Sequence, residues 1–220
     1  MLFLEFKLLL FKIMEPLKGA VNRNSLIIKA TTLAFFIFLL LSIIASVLIF
    51  SLSSELSEQL SSLIQVALDY DNIPSPFTGT LVSFIFLNNI GHFWNPIRML
   101  VWIPGIGPIL LGFEVLLNSS VIGMIAVTVG IRNGLSYPII GLIPHGIIEI
   151  PGFLLQFAAI VLWQVTISEA IIDKLLSRKA ERDKISRRLK DGFVLAVAAI
   201  FLLLVAAVIE SYVTPHLLGY

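Results

Sequence analysis

The stretch "LIIKATTLAFFIFLLLSIIASVLIF", residues 26–50, decides the class of fold, because apolar side chains fall on every side of a helix drawn through it. About 20 such residues cross the hydrocarbon core of a bilayer as a helix. Strands of membrane barrels instead alternate apolar and polar residues over about ten positions. Since backbone groups in lipid are satisfied only within helices or closed barrels, the stretch predicts a transmembrane helix.

The composition extends this prediction to the whole chain of 220 residues. Hydrophobic residues make up 58% and charged residues 13%, whereas soluble domains have about 25% charged residues. The mean hydropathy is +0.99. The absence of cysteine excludes disulfides and cysteine metal sites. No phosphate-binding glycine loop occurs, and the net charge of +1 does not point to nucleic acid. We predict an all-α polytopic membrane protein with the lipid bilayer as its surroundings and no nucleic-acid partner.

Apolar stretches and charges together predict five spans and their orientation. The spans are residues 26–50, 77–94, 99–131, 137–167 and 193–213. Residues 173–192 hold eight Lys or Arg against four Asp or Glu, while residues 51–76 hold acidic residues but no Lys or Arg. By the positive-inside rule, the first segment is cytoplasmic and the second is outside, where its helical spacing predicts an interfacial helix. We expect a plasma-membrane protein with a cytoplasmic N terminus and an extracytoplasmic C terminus.

The third and fourth regions are longer than one crossing requires, and the third contains "IPGIGPILLG". A broken or kinked helix is expected there. The alternative is that both regions fold as pairs of shorter or re-entrant helices, which preserves the orientation. The residues expected to break helices or to pack them closely are Gly105, Pro108, Pro144, Gly146, Pro151, Gly152 and Pro215.

Residues 1–25 mix Leu and Phe with charged residues. Glu5, Lys7 and Lys12 interrupt the apolar run that a signal peptide needs, so this segment predicts an amphipathic helix at the cytoplasmic interface. Residues 26–220 are expected to form a single transmembrane domain. Small residues in the spans weakly favour a homo-oligomer, such as a dimer.

Ionisable residues occur inside the predicted spans. In "LIPHGIIEIPG", residues 142–152, His145 and Glu149 lie four apart, on one helix face. Glu210 in the last span reaches a similar depth, so it is expected to meet them. Because a carboxylate facing lipid costs about 3 kcal/mol or more, we predict a buried polar site. Its other candidates are Glu114, Asn118 and Asn89.

Three interpretations of this site remain open. The polar groups can join helices by hydrogen bonds alone, or they can relay protons or line an ion path. Alternatively, His145, Glu149 and Glu210 bind a divalent metal ion as the cofactor. No pattern here is as specific as HExxH, and no nucleophile with a nearby base stands out, so we expect no enzyme.

The motifs resemble those of the stage II sporulation protein M family. The resemblance covers residues 78–217 and is carried by "FLNNI", "GIGPILLGFEVLLNSSVIG", "LIPHGIIEIPG" and "VIESYVTPHL". The family's motif positions correspond here to Asn89, Gly123, Pro144, His145, Gly146, Glu149, Glu210, Thr214 and Pro215. The resemblance implies a multispanning membrane scaffold with an envelope or membrane protein as partner; the sporulation member anchors peptidoglycan-degrading partners during engulfment.

Overall fold

The computed structural model describes residues 14–53, 55–59, 62, 73–178 and 181–220, and their regular structure is entirely helical. Residues 14–23 are helical and precede the bounded helices. These are α1 Ser25–Leu52, α2 Gly79–Asn89, α3 Gly107–Asn133, α4 Ser136–Leu175, α5 Arg182–Val208 and α6 Thr214–Leu218. Two 3₁₀ turns, Gly91–Phe93 and Arg98–Trp102, follow α2, and a π-helical turn, Ile209–Val213, joins α5 to α6.

Within these described residues, four helices are long and apolar enough to cross a membrane: α1, α3, α4 and the continuous segment Arg182–Leu218. The predicted second span, residues 77–94, is not a full-length helix. α2 has 11 residues and is about 16 Å long at 1.5 Å per residue, whereas a hydrocarbon core is about 30 Å thick. The helix ends at Asn89, whose side chain bonds Glu149 in α4. Five helical spans are therefore not confirmed.

The irregular backbone after α2 is satisfied by side chains of the bundle. Trp102 Nε1 donates to the His92 carbonyl (2.8 Å), and Trp163 Nε1 donates to the Trp102 carbonyl (3.1 Å). Gln164 Nε2 donates to the Val101 carbonyl. Non-helical backbone is tolerated at membrane depth only where protein buries it or where it lines a water-filled cavity. These contacts therefore explain how the chain can continue between α2 and α3 without regular helix.

The predicted break in the third region is confirmed. Gly105 has a φ of +94°, and Pro108 lies at the start of α3. The fourth region behaves differently, since α4 runs for 40 residues with Pro144 and Pro151 inside it. No break occurs at these prolines, and the alternative that this region folds as a pair of shorter helices is wrong. Transmembrane helices tolerate proline because neighbouring helices and local adjustments satisfy the freed backbone groups.

α4 packs mainly on α5, and α1 packs mainly on α3. Two glycines permit these approaches. A Cβ at Gly152 would lie 3.0 Å from the Leu203 side chain, and one at Gly123 would collide with Ser42 Oγ. Gly146, in contrast, faces no described atom within 4 Å. The main apolar cluster is Phe35, Val101, Leu111, Val115, Phe153, Leu154, Phe157, Ile160 and Leu203.

The described part of the N-terminal segment packs on the bundle. Ala20 is fully buried in a cluster with residues of α4 and α5. Arg23 donates to both Asp191 oxygens, from Nε at 3.0 Å and from Nη2 at 2.6 Å, and Asn24 Nδ2 donates to Asp191 Oδ2 at 3.0 Å. The predicted interfacial position of this helix is not confirmed, and residues 1–13 lie outside the described part. The predicted loop helix also falls largely outside it, although residues 55–59 are helical.

Candidate functional site

His145 and Glu149 project from adjacent turns of α4. They lie about 14 Å and about 20 Å from the helix start at Ser136, at 1.5 Å per residue. His145 is buried, with 6% of its surface exposed. Its Nε2 lies 3.8 Å from Glu149 Oε2, and its Nδ1 lies 3.3 Å from Thr214 Oγ1. The imidazole therefore has one nitrogen toward a hydroxyl and the other toward a carboxylate.

Glu210 reaches this position from the π-helical turn Ile209–Val213. Such turns are rare and occur often at functional sites. Pro215 lacks an N–H that could donate to the Ser211 carbonyl one α-helical turn earlier. The Phe77 N–H donates to that carbonyl instead, at 3.1 Å. The turn thus aims Glu210 into the bundle and also fixes the chain just before α2.

The three ionisable side chains converge. Each of His145, Glu149 and Glu210 offers one ligand atom, and these atoms all lie within 4.8 Å of one another. Asn89 Nδ2 donates to Glu149 Oε1 at 2.7 Å. The structure therefore brings Asn89, His145, Glu149 and Glu210 together, as the site prediction requires. We call these four residues the outer centre, after the side of the membrane at which the charge pattern leads us to expect them.

Glu114 and Asn118 belong to different surroundings. Glu114 Oε2 contacts His92 Nε2, and its Oε1 accepts from Arg98 Nε at 3.3 Å. Asn118 Nδ2 donates to the Glu114 carbonyl, within its own helix, at 2.9 Å. The prediction that these two residues join His145 is therefore wrong. Their four-residue spacing predicted correctly that they share one face of the helix, but it could not predict which element packs against that face.

His92 was not among the predicted site residues, but it lies at the centre of a second polar network. His92 is fully buried, and its Nδ1 lies 2.8 Å from Gln156 Nε2 of α4. We call His92, Arg98, Glu114 and Gln156 the inner network. The sequence contained one indication of this network. Arg98 and Glu114 carry opposite charges on the two sides of the Gly105 break, and each needs a partner within the membrane.

The outer centre and the inner network meet at the end of α2. The Asn88 carbonyl accepts from Arg98 Nη1 at 2.5 Å, while the next side chain, Asn89, bonds Glu149. On α4, Glu149 and Gln156 are about 10 Å apart along the helix axis at 1.5 Å per residue. The "NN" of "FLNNI" therefore connects two polar clusters that lie at successive depths in the bundle.

Comparison with known proteins agrees with the motifs. The sequence model described as stage II sporulation protein M matches residues 33–215, a range that includes the outer centre and the inner network. No curated protein and no solved structure matches the chain. The match covers far more than half of the 220 residues. The chain is therefore a membrane protein that belongs to the stage II sporulation protein M family.

Proposed function

We propose that this protein is a multispanning scaffold of the cell membrane whose outer centre binds a divalent metal ion. The observation that carries the metal proposal is the convergence of His145, Glu149 and Glu210, with ligand atoms within 4.8 Å of one another. The scaffold role rests on membership of the family. In this role the ion is a structural element that holds the helices in one arrangement, and a membrane or envelope protein is the partner.

The electrostatics of the outer centre favour a cation. Two carboxylates within a few ångströms of each other repel, and burial in an apolar medium raises the cost of each charge. When the His145 Nδ1 carries the ring proton, it donates to Thr214, and the Nε2 lone pair faces Glu149. The His145 Nε2 lone pair and the carboxylates of Glu149 and Glu210 then face one another. A divalent ion between these three acceptors would stabilise the arrangement.

The donor set suits a transition metal such as Zn²⁺ or Mn²⁺, because it combines one imidazole with two carboxylates. Two ligand atoms that are each about 2.1 Å from an ion are at most about 4.2 Å apart. The three ligand atoms here lie within 4.8 Å of one another, so small side-chain shifts would bring them to binding distance. Asn89 and Thr214 supply the outer contacts that orient Glu149 and His145. Such contacts commonly tune the affinity of metal sites.

Elemental analysis of the purified full-length chain tests this function. We expect a stoichiometric divalent metal in the native protein, lost in His145→Ala and in Glu149→Gln. His216→Ala is the matched control, since His216 is an exposed histidine of α6. Chelation should lower the melting temperature of the native protein and leave that of His145→Ala unchanged. Metal-free native protein that is insensitive to added Zn²⁺ or Mn²⁺ would exclude the metal proposal.

A proton or ion path is the second candidate, because the inner network continues the polar groups beyond the outer centre. Arg98 bonds both the Asn88 carbonyl and Glu114, and His92 links Glu114 to Gln156. Ionisable groups at successive depths are typical of proton relays. Vesicles containing the protein and a pH-sensitive dye would then show flux that disappears in Glu149→Gln. Equal flux in that variant would remove the relay.

The assembly and orientation are part of the same proposal. We infer a homo-oligomer, with apolar residues of α1 such as Leu33 and Leu40 exposed for helix contacts or lipid. Residues 77–107 are proposed as a fifth, discontinuous crossing. Their first contact is with Ser211 near the end of the chain, and their last contacts are with Trp163 and Gln164, toward the far end of α4.

A further inference from the structure

A crevice of about 390 Å³ lies between α4, α5 and the turn around Trp102, and none of the residues that line it belongs to the outer centre or the inner network. It runs along α5 from Arg188 to Ile200, about 18 Å at 1.5 Å per residue. One leaflet of the hydrocarbon core is about 15 Å thick. Its apolar lining includes Phe93, Trp102, Trp163, Phe193, Val197 and Ile200. The crevice therefore has the length and polarity that suit a single acyl chain.

The mouth of the crevice carries excess positive charge. Glu169 pairs with two cations, Arg188 at 2.6 Å and Lys184 at 3.1 Å. Glu169 is thus shared by two cations. Asp191 forms an ion pair with Arg23 at 2.6 Å. Arg187 of α5 also attracts the Asp191 carboxylate electrostatically. Residues 182–191, the first ten of α5, hold five Lys or Arg and two Asp, so the charge is not neutralised within this end of the helix.

Two tryptophans mark the level of the membrane surface. The indoles of Trp102 and Trp163 meet edge to face, with ring centroids 6.0 Å apart, and both line the crevice. Tryptophan is enriched where the bilayer meets water. We therefore expect the crevice to begin at the headgroup level, beside Arg188, and to continue into the hydrocarbon core.

We propose that this crevice binds one anionic phospholipid, with its phosphate at Arg188 and one acyl chain along α5. Basic pockets between helices at a membrane surface recognise anionic headgroups. The apolar lining accounts for the chain, and the unbalanced cations account for the headgroup. The proposal is independent of the metal centre.

Tryptophan quenching by brominated lipids tests the proposal on the reconstituted full-length protein. Vesicles of phosphatidylcholine would contain increasing fractions of brominated phosphatidylglycerol or brominated phosphatidylcholine. We expect phosphatidylglycerol to bind about fivefold more tightly, the effect of one basic residue near the membrane surface. Equal quenching by the two lipids would overturn the proposal.

Variants separate the headgroup from the chain. Arg188→Gln can still bond Glu169 and should lose the preference, while Arg188→Lys should keep it; Arg178→Gln, an exposed arginine that does not line the crevice, is the control. Val197→Phe narrows the crevice and should reduce binding of both lipids, whereas Val208→Phe, elsewhere on α5, should not. Equal loss of preference in Arg188→Gln and Arg178→Gln would indicate a diffuse surface charge and would reject a defined site.

Discussion

Asn89 Nδ2 donates to Glu149 Oε1 at 2.7 Å and so joins the last residue of α2 to the middle of α4. The contact gives a short helix a polar partner where it ends. It also occupies one Glu149 oxygen, so the other is directed to His145, 3.8 Å away. One amide therefore both positions α2 and orients a proposed metal ligand.

We predict that Asn89→Ala weakens metal binding by about 10- to 100-fold, as expected for the loss of an outer hydrogen bond to a metal ligand. Glu149→Ala should abolish binding, since it removes the ligand itself. Competition with a metal-sensitive dye would measure both affinities. Asn88→Ala is a close control, because the adjacent Asn88 side chain is exposed and Arg98 bonds the backbone carbonyl of Asn88, which the substitution keeps. An unchanged affinity in Asn89→Ala would contradict the assigned role.

The packing of α1 on α3 gives a second prediction. Gly123→Ala should destabilise the protein by about 1–3 kcal/mol, a typical cost of overpacking, because the new Cβ collides with Ser42 Oγ. The free energy of unfolding in a detergent titration would report the loss. Ser42→Gly removes that hydroxyl, so the double variant should recover part of the stability. Gly112→Ala, where no described atom lies within 4 Å, should have little effect.

The site could be predicted where spacing along one helix was sufficient. The four-residue interval of His145 and Glu149 placed them on one face, and the opposite directions of the fourth and last spans brought Glu210 to the same depth. Glu114 could not be assigned in this way. Its partner depends on the path of residues 90–106, which turn back in irregular structure to place His92 and Arg98 beside it.

The fold was predictable to a similar extent. Hydropathy and charge identified the long helices, and the glycines and prolines at 104–108 predicted the break. Hydropathy does not reveal whether an apolar segment is continuous helix, since side chains such as Trp102 and Gln164 can replace helical hydrogen bonds. For the same reason Pro144 and Pro151, which suggest breaks in isolation, lie inside α4.

The inner network supports a third prediction, which a double-mutant cycle on Arg98 and Glu114 would test. Arg98→Gln should cost about 1.5–3 kcal/mol, the usual value of hydrogen bonds to charged groups, because Glu114 loses its cation. Adding Glu114→Gln should restore part of the stability, since it removes the unpaired carboxylate. Arg132→Gln, at the exposed end of α3, is the control in the same unfolding assay. Additive losses in the double variant would show that the two residues are not coupled.

The cysteine-free sequence allows a direct test of orientation, because each introduced cysteine is the only one. We expect a membrane-impermeant maleimide to label Ser75→Cys and Tyr220→Cys on intact cells. Arg178→Cys and Ile97→Cys should react only after permeabilisation. Ser75, Ile97 and Tyr220 are exposed; Ser75 precedes the proposed fifth crossing, Ile97 lies in its second half, and Tyr220 follows the last helix. Labelling of Ile97→Cys on intact cells would mean that residues 77–107 return to the side from which they entered, leaving four crossings. In that case the positively charged segment and the C terminus would need a new orientation, because residues 51–76 and 173–192 would no longer lie on opposite sides of the membrane.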